Sequence, residues 1–282
     1  MKLINQKVEL WQQGPTEEDM WDHIAKCTRV CYQSTPKNKE ESGEDFCKRT
    51  ILLNKHYGML EHGTVYLIMP YDANHVWTCR MYELNPYSKV KLVYGKGYIT
   101  TNYRVILENN READLDYWSE PTEFHEKRHT LNLITSIGIG RELCRHRKFS
   151  FAQESTRYCR YDKRDMEFVI PYWANLNPGP YETASNGYIG DGFCEDYSVN
   201  SNETQFLSSL SSAESFYKRL LINDLKAQEA REVLPLALKS QLIMTGFESD
   251  WKDFLDKRLF EKTGKVHEDM KELAKQISDL IV

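Results

Sequence analysis

Two segments near the N terminus carry the apolar spacing of helices. Thr16-Glu-Glu-Asp19 combines a hydroxyl N-cap with acidic first-turn residues, and the apolar positions of Met20–Cys27 then fall on one helical face. This pattern predicts a helix that ends near Tyr32. A second helix is predicted over Glu44–His56, and Gly58 is expected to end it because glycine favours helix C-termini.

Runs rich in β-branched and aromatic residues predict strands further along the chain. Residues 98–107 are ambiguous between strand and helix, and a short helix is expected over Arg141–Arg147. The predicted strands are Glu61–Met69, closed by Pro70, then Thr130–Thr135 and Glu167–Pro171.

The C-terminal third is predicted to be helical. Helical spacing begins near Glu203 and is interrupted at Pro235. Further helices are predicted over roughly 248–260 and 266–281.

Two stretches have the character of insertions. Residues 174–202 are rich in Asn, Gly, Ser, Pro and Tyr, which is typical of a long loop or a surface insertion. No linker clean enough to divide the chain is present. Residues 1–282 are therefore predicted to form a single domain with insertions at about 70–127 and 174–202.

Composition is that of an ordinary globular protein. Of 282 residues, 40% are hydrophobic and 28% are charged. No apolar run approaches the roughly 20 residues of a membrane span, and the first residues lack the apolar core of a secretory signal. The net charge of −5 argues against a general nucleic-acid binder. We therefore expect a cytoplasmic protein that binds neither membrane nor nucleic acid.

The seven cysteines indicate a reduced protein, since none forms a Cys-x-x-Cys pair. Cys27 and Cys31 stand four residues apart and share one helical face, where two apolar core thiols are expected in preference to a metal site. Cys144 is the one thiol beside a positive cluster, which would lower its pKa, and it is a weak candidate nucleophile.

The most informative segment is Arg145–Tyr158, which reads Arg-His-Arg-Lys-Phe-Ser-Phe-Ala-Gln-Glu-Ser-Thr-Arg-Tyr. Arginines are permanently charged forks shaped for phosphate or carboxylate, and His146 can donate, accept or titrate. Such stretches are more often solvated faces or ion-paired surfaces. These arginines follow the mostly uncharged run Leu131–Gly140, which is expected to be buried. We therefore interpret them as a site for a small polyanion such as a nucleotide.

The spacing Arg-His-Arg-x7-Ser in this segment resembles the signature of the flavin-dependent thymidylate synthase (ThyX) family. Four other segments resemble the family in the same order along the chain, and they are Thr28–Tyr32, His56–His62, Arg231–Pro235 and Phe254–Arg258. The chain is thus similar to this family over its core, but not over the two predicted insertions.

The resemblance implies a function. Members of that family methylate deoxyuridine monophosphate (dUMP) to thymidine monophosphate (dTMP). Methylene-tetrahydrofolate is then the carbon donor, FAD the redox carrier and NADPH the reductant. The implied fold is α+β, with a mostly antiparallel sheet flanked by helices, and the implied assembly is a homotetramer whose sites lie between subunits.

The resemblance also implies roles for individual residues. Arg258 and Ser155 are the candidate catalytic residues, and Arg258 would stabilise negative charge that develops on the pyrimidine. The candidate flavin-binding residues are His56, Glu61, Arg145, His146, Arg147 and Gln153. The candidate nucleotide-binding residues are Glu142, Arg145, Gln153, Glu154, Ser155, Thr156, Arg157, Arg231 and Arg258.

Several positions depart from the family pattern. Gln153 stands where the family usually has Glu, Glu142 where it usually has Gln, and Gly58 where a hydroxyl residue is common. The charge of Glu142 beside a phosphate would be unfavourable unless it is paired. Phe247-Glu-Ser249 stands at the usual Asn-x-Arg, which removes two expected flavin contacts.

Two residues of the predicted insertion at about 70–127 carry the amide and guanidinium groups that are missing at 247–249. Asn102 and Arg104 supply an Asn and an Arg, and we hypothesise that they bind the flavin instead. The chain has no Gly-x-Gly-x-x-Gly fingerprint, so side chains would have to do what a glycine turn does elsewhere.

Three alternatives stay open. A dUMP hydroxymethylase on the same fold would let water, in place of hydride, intercept the methylene intermediate. A non-catalytic nucleotide- or RNA-binding protein would also place arginines beside aromatic side chains, although the acidic net charge counts against it. An ion-paired subunit interface would explain residues 141–164 but not the ordered matches elsewhere.

Overall fold

The structure is a computed structural model that describes residues 1–35, 41–162, 165–184, 187–190 and 201–281. Within these ranges helices combine with mostly antiparallel sheets, which confirms the predicted α+β class. No helix in the described ranges is long and apolar enough to cross a bilayer.

Strands and helices are interspersed along the chain. The strands are β1 Lys2–Ile4, β2 Lys7–Trp11, β3 Thr64–Pro70, β4 Lys89–Val93, β5 Lys96–Asn102, β6 Arg128–Ser136, β7 Ser150–Gln153, β8 Glu167–Val169, β9 Gly179–Ala184, β10 Gly187–Gly190 and β11 Lys239–Phe247. The helices are α1 Glu17–Tyr32, α2 Gly43–Cys47, α3 Val76–Leu84, α4 Tyr103–Glu108, α5 Ile137–Leu143, α6 Asn202–Ile222, α7 Ala227–Ala230, α8 Glu248–Arg258 and α9 Glu268–Ile281. A π-helical turn covers Lys48–Leu52, and 3₁₀ turns cover Tyr57–His62, Glu112–Tyr117 and Arg231–Val233.

The central sheet has the strand order β2-β6-β11-β7, and its neighbours are all antiparallel. β11 pairs along its whole length with β6, from Lys239 opposite Ser136 to Phe247 opposite Arg128. The prediction that the chain is helical from Glu203 onward was therefore wrong at β11. This strand is buried on both faces, so its apolar residues do not alternate with polar ones. Periodicity alone cannot distinguish such a strand from a buried helix.

The two faces of β11 pack against different helices. Leu242 and Met244 lie in a core shared with α8 and α9. Ile243, between them, meets Cys27 and Val30 of α1. Side-chain alternation in the strand thus fixes α1 over one face of the central sheet and the last two helices over the other.

Helix α1 forms as predicted. The Thr16 side chain accepts from the Asp19 N–H, and the Asp19 carboxylate accepts from the Thr16 N–H, which completes a capping box. At the other end, Gln33 adopts the left-handed conformation that ends the helix. The predicted limit near Tyr32 is confirmed.

Two other helices differ from their predictions. The helix predicted over 44–56 is α2 followed by the π-helical turn, and it ends at Leu52. Gly58 lies inside a 3₁₀ turn and does not end it. The helix predicted over Arg141–Arg147 starts earlier, because Ser136 supplies the side-chain cap of α5. The motif arginines therefore follow that helix.

The segment predicted as an insertion at 70–127 supplies β4 and β5 of a second sheet, with the order β3-β5-β4. The ambiguous stretch 98–107 is both a strand and a helix, since β5 runs to Asn102 and α4 begins at Tyr103. The Asn102 side chain accepts from the Val105 N–H and caps α4. This sheet shares a core with α1 and α2.

The third sheet has the order β10-β9-β1-β8 and packs on α6. Its β1–β8 pair is parallel, whereas the other pairs are antiparallel. Part of the predicted 174–202 loop forms β9 and β10, and residues 185–186 and 191–200 of it lie outside the described residues. The predicted strands near 64, 130 and 167 are confirmed as β3, β6 and β8, and the last two predicted helices as α8 and α9.

Candidate functional site

Arg258 of α8 meets His146 of the Arg-His-Arg motif, although 112 residues separate them. Arg258 Nε donates to His146 Nε2 at 2.9 Å. Because a guanidinium stays protonated and has no acceptor, His146 accepts through Nε2 and carries its proton on Nδ1. Burial, together with the charge of Arg258, lowers the pKa of His146 to about 4. His146 is therefore neutral near pH 7 and holds Arg258 in place.

Glu142 lies beside the same guanidinium. Its Oε2 is 3.8 Å from Arg258 Nη1, so the acidic residue that departs from the family pattern is paired. Glu142 and Arg141 also line a cleft of about 350 Å³ with Leu236, which follows the Arg231–Pro235 segment. We call Glu142, His146 and Arg258 the Arg258 cluster.

Arg145 and Arg147 extend from the turn that follows α5, and both are exposed. Lys148 pairs with Asp250 and Arg258 with Glu142, whereas Arg145 and Arg147 form no ion pair with a described residue. Two motif cations are thus open to an anionic ligand. Cys144 lies in the same turn, but desolvation raises the pKa of its thiol. The positive cluster does not activate Cys144 as a nucleophile.

Strand β7 continues the motif away from the Arg258 cluster. Gln153 lies opposite Leu242 of β11, and its amide donates to Ser240 Oγ at 2.9 Å. A Cβ on Gly140 would lie 3.1 Å from this amide nitrogen, so the glycine lets α5 approach β7 closely. The Gln153 side chain is thus tied between α5 and β11.

Glu154 has a role in the fold. It is 4% exposed. Lys239 Nζ lies 3.0 Å from its Oε2, and the Tyr161 hydroxyl donates to its Oε1 at 3.1 Å. Both carboxylate oxygens thus have partners inside the protein. The nucleotide contact of Glu154 stays a prediction.

Ser155–Tyr158 form a turn against the end of α1. The Ser155 N–H donates to Cys31 O at 3.0 Å, and its Oγ accepts from the Arg157 N–H at 3.3 Å. Tyr158 packs on Tyr32 with ring centroids 5.3 Å apart. The two hydroxyl residues of the turn, at 155 and 156, are half-buried, while Arg157 is exposed. The turn presents hydroxyls and a cation next to the cavity described below.

A cavity of about 390 Å³ lies beside this turn, and we call it the His56 cavity. Two of the segments that resemble the family, Thr28–Tyr32 and His56–His62, form much of its wall. A Cβ on Gly58 would meet nothing within 4 Å, so the wall is open there. Its lining residues are Thr28, Cys31, Tyr32, Thr50, Ile51, Lys55, His56, Tyr57, Gly58, Met59, Arg104 and Glu108.

Arg104 lines this cavity and is held by two carboxylates. Its Nη1 donates to Glu61 Oε1 at 2.6 Å, and its Nε to Glu108 Oε1 at 2.9 Å. Glu108 was missed from the sequence, although its spacing of four residues from Arg104 was a usable signal. Asn102 is 2% exposed, caps α4 and does not line the cavity. The structure therefore gives Asn102 a role in the fold, and its flavin contact stays a prediction.

Two further predicted segments, at Arg231 and at Phe247–Ser249, do not line the His56 cavity. Arg231 Nε is 3.5 Å from Glu232 Oε1, and its side chain is 38% exposed. Phe247 is buried at the end of β11, and the Ser249 N–H donates to Glu126 Oε1 at 3.1 Å. The two residues that replace the family's Asn-x-Arg thus serve packing and backbone pairing.

The described residues offer two kinds of chemistry in two places. The Arg258 cluster holds a guanidinium rigidly beside a neutral imidazole. The His56 cavity has an aromatic and apolar wall with cations at its edge. No residue is shared between the cluster and the cavity lining, and β7 connects the motif arginines to the turn that lies beside the cavity. This arrangement suits ligands that combine flat rings with phosphate.

Comparison with known proteins agrees with these features. Residues 119–282 match the family described as thymidylate synthase complementing protein. A probable flavin-dependent thymidylate synthase of Paramecium bursaria Chlorella virus 1 is 28% identical over 148 residues, which are 52% of this chain and 64% of the viral protein. A flavin-dependent thymidylate synthase of Corynebacterium efficiens is 31% identical over 120 residues, which are 43% of this chain and 44% of that protein. The chain thus spans less than two thirds of either relative.

Among solved structures, a UMP/dUMP methylase, PolB, from Streptomyces cacaoi bound with 5-Br dUMP aligns with a TM-score of 0.45 and 17% identity, over 99% of this chain and 91% of that one. The family match rests on sequence and covers more than half of the chain. The chain belongs to the thymidylate synthase complementing protein family.

Proposed function

We propose that the protein is a flavin-dependent thymidylate synthase that converts dUMP to dTMP by reductive methylation. Methylene-tetrahydrofolate donates the carbon, FAD is the redox carrier and NADPH the reductant. Family membership and the names of the two relatives support this proposal. The observation that carries it is the hydrogen bond between Arg258 and His146, which joins two of the segments that resemble the family at a single guanidinium.

Arg258 is proposed to bind the uracil edge of dUMP. Its side chain is 23% exposed and is held by His146 and Glu142, so it needs little reorganisation when negative charge develops on the pyrimidine. Partial exclusion of water strengthens that interaction. Because His146 is neutral, no second positive charge displaces Arg258 from this position.

The exposed arginines are proposed to hold the anionic groups. Arg157 and the Ser155 hydroxyl bind the dUMP phosphate. The guanidinium of Arg157 contacts two phosphate oxygens at once. Arg145 and Arg147 are exposed and lie on the same motif, where they bind the remaining phosphates. Arg231 contributes to the nucleotide site once its weak pairing with Glu232 is exchanged for a ligand.

The residues of the His56 cavity fit part of a flavin. Tyr32, Tyr57 and Met59 offer flat and apolar surface, and Lys55 supplies a cation for a pyrophosphate. Arg104 contributes N–H donors, although its charge is already paired with Glu61 and Glu108. When bound, the flavin supplies the hydride chemistry that amino-acid side chains lack. A cavity of about 390 Å³ is smaller than a whole FAD molecule. This supports sites completed by a second subunit of a homotetramer.

The test is an absorption spectrum of the purified protein followed by product analysis. We expect oxidised-flavin bands that bleach when NADPH is added. With dUMP and methylene-tetrahydrofolate, mass spectrometry should detect dTMP, which is dUMP heavier by one CH₂ group. A product with one further oxygen would instead identify a hydroxymethylase. A protein that stays colourless in excess FAD and forms no modified nucleotide would contradict the proposal.

A further inference from the structure

A second cationic cleft lies where the segment 70–127 rejoins the central sheet. It encloses about 400 Å³ between the loop after β2, strand β3 and the start of β6. We call it the Arg128 cleft. It shares no lining residue with the His56 cavity, and no member of the Arg258 cluster lines it. Its lining residues include Trp11, Gln12, Gln13, Pro15, Thr64, Tyr66, Glu120, Pro121, Lys127, Arg128 and His129.

Arg128 is a half-buried cation without a carboxylate partner in the described part of the chain. Its Nη2 donates to Glu61 O at 3.0 Å and its Nη1 to Thr64 Oγ1 at 3.3 Å. The buried Nε has no hydrogen-bond partner there. The guanidinium lies 5.4 Å from the Phe247 ring centroid, which offers only a diffuse attraction. Burial lowers the pKa of Arg128 to about 10, so the group is still charged near pH 7.

A charge that is partly removed from water, as the buried Nε shows for Arg128, is ordinarily paired, because desolvation makes an unpaired ion costly. The atoms that accept hydrogen bonds from Arg128 are neutral, and the carboxylates of Glu61 and Asp250 act on its charge only from beyond ion-pair distance. An anion bound in the cleft would supply the paired negative charge that the fold does not place beside Arg128. This demand arises from Arg128 itself and does not depend on the proposed function.

The surroundings of Arg128 add donors and apolar surface. Lys127 is exposed and lines the same cleft. The Tyr66 hydroxyl accepts from the Arg128 N–H at 3.4 Å and still has its own proton to donate. Trp11 supplies a large aromatic wall. Glu120 is an exposed carboxylate of the lining, so water screens its charge.

We propose that the Arg128 cleft binds a small organic anion, through a carboxylate or phosphate group held by Arg128 and Lys127. A planar oxyanion matches the guanidinium fork, and the ammonium group adds a second positive charge. The apolar part of the ligand packs against Trp11 and Tyr66. The ligand is distinct from the nucleotide and the flavin, since it occupies a separate cleft.

The test is isothermal titration calorimetry of the full-length protein with benzoate, phenyl phosphate and inorganic phosphate, at ionic strength held constant with chloride. We expect saturable binding of at least one probe to one site per chain. Comparison of benzoate with phenyl phosphate distinguishes carboxylate from phosphate, and inorganic phosphate shows whether the apolar part is needed. Each titration is repeated with dUMP at saturation, which should leave the affinity unchanged.

Variants assign the binding to this cleft. Lys127→Gln should weaken it at least about threefold, and Arg128→Lys, which keeps the charge but loses the fork, at least about tenfold. Lys252→Gln, at an exposed lysine of α8 outside the cleft, is the matched control and should bind as the parent does. If Arg128→Lys does not fold, Lys127→Gln decides alone. Absence of saturable binding of all three probes, competition by dUMP, or equal weakening in the control would overturn the proposal.

Discussion

The neutral state of His146 matters because its acceptor atom faces a permanent cation. A protonated imidazole has no lone pair for Arg258 Nε and would repel it. The edge-on ring of Phe254, with centroids 4.8 Å apart, fixes the imidazole from one side. His146 is thus a positioning residue for Arg258, in addition to any contact that it makes with a flavin.

Replacement of His146 by Phe should lower the turnover number for dUMP by about 10²-fold, because Arg258 loses its acceptor and is no longer held for charge stabilisation. His146→Gln keeps an acceptor oxygen and should retain most of the activity. Steady-state product formation gives kcat and KM, and the flavin absorbance of each variant is recorded alongside. Turnover by the Phe variant equal to that of the parent, measured at saturating FAD, would contradict the positioning role.

The residue types of this cluster could be predicted from the sequence, but their partners could not. The Arg-His-Arg motif and Arg258 were both predicted to act at the site. The hydrogen bond from Arg258 to His146 depends on how α8 packs against the turn after α5. No local sequence pattern predicts that packing. The same holds for Glu142, whose charge looked unfavourable until its distance of 3.8 Å from Arg258 was known.

At the level of elements, β11 supports the motif through a close packing contact. A Cβ on Gly246 would lie 2.4 Å from the Phe149 ring, which is buried and stacked edge-on against Trp251 with centroids 4.6 Å apart. The same ring also contacts Phe254, with centroids 6.3 Å apart. Glycine at this point of the strand therefore leaves room for Phe149, which follows the motif arginines in the sequence.

Gly246→Ala should lower the free energy of unfolding by about 1–3 kcal/mol, as overpacking of a tight core does. Gly58→Ala is the matched control, because a Cβ there meets nothing within 4 Å and the change should be neutral or slightly stabilising. Urea denaturation followed by tryptophan fluorescence measures both. Equal midpoints for the two variants would show that Phe149 relaxes without cost.

The elements that the sequence predicted correctly are those with local signals. Helix α1 has a capping box and an amphipathic face, so its limits follow from residues close in sequence. Strand β11 has neither turn signals nor alternation. Its identity depends on pairing with β6, about 100 residues earlier in the chain, and a local pattern carries no information on that partner.

Two buried histidines connect α1, the central sheet and the 3₁₀ turn at Tyr57–His62. His23 Nε2 bonds with Thr130 Oγ1 at 3.1 Å, and His62 Nδ1 with Thr245 Oγ1 at 2.8 Å. The two hydroxyls bond with each other at 2.8 Å. Burial lowers the pKa of His23 to about 4 and that of His62 to about 3, so both are neutral in the folded protein.

Acid should therefore destabilise the protein before its carboxylates are protonated. The folded pKa values of His23 and His62 lie below the ordinary value of 6.5, so the unfolded chain binds more protons as pH falls below 6.5. The free energy of unfolding should fall by on the order of a few kcal/mol between pH 7 and pH 4. Urea midpoints at half-unit steps of pH measure this slope.

A histidine variant tests the assignment. His23→Gln removes one titrating group, so the fall in stability with acid should become shallower even if the variant is less stable at pH 7. His267→Gln, at a side chain that is 49% exposed, is the control and should keep the parent slope. Parallel pH profiles for the parent and both variants would rule out His23 as a source of the acid sensitivity.

For the whole molecule, the separation of the Arg258 cluster from the His56 cavity bears on assembly. The cavity of one chain is too small for FAD, and its wall includes none of the residues that position Arg258. The active site could combine the cavity of one subunit with the guanidinium of another. In that case, a variant with a damaged cavity and a variant with a damaged guanidinium site would together form some intact active sites in a mixed oligomer. A site built within one chain has no such repair.

Co-expression of two inactive variants decides between these arrangements. Arg104→Ala damages the His56 cavity by removing the partner of Glu61 and Glu108, and Arg258→Lys damages the guanidinium site. In a random mixture of subunits, roughly a quarter of the shared sites draw both intact halves, so activity should return to about that fraction of the parent. Purification through a different tag on each variant selects the mixed oligomers, and dTMP formation is the readout. Arg258→Lys co-expressed with itself under both tags sets the background. Activity no higher than this background would place the cavity and the guanidinium of each active site on the same chain.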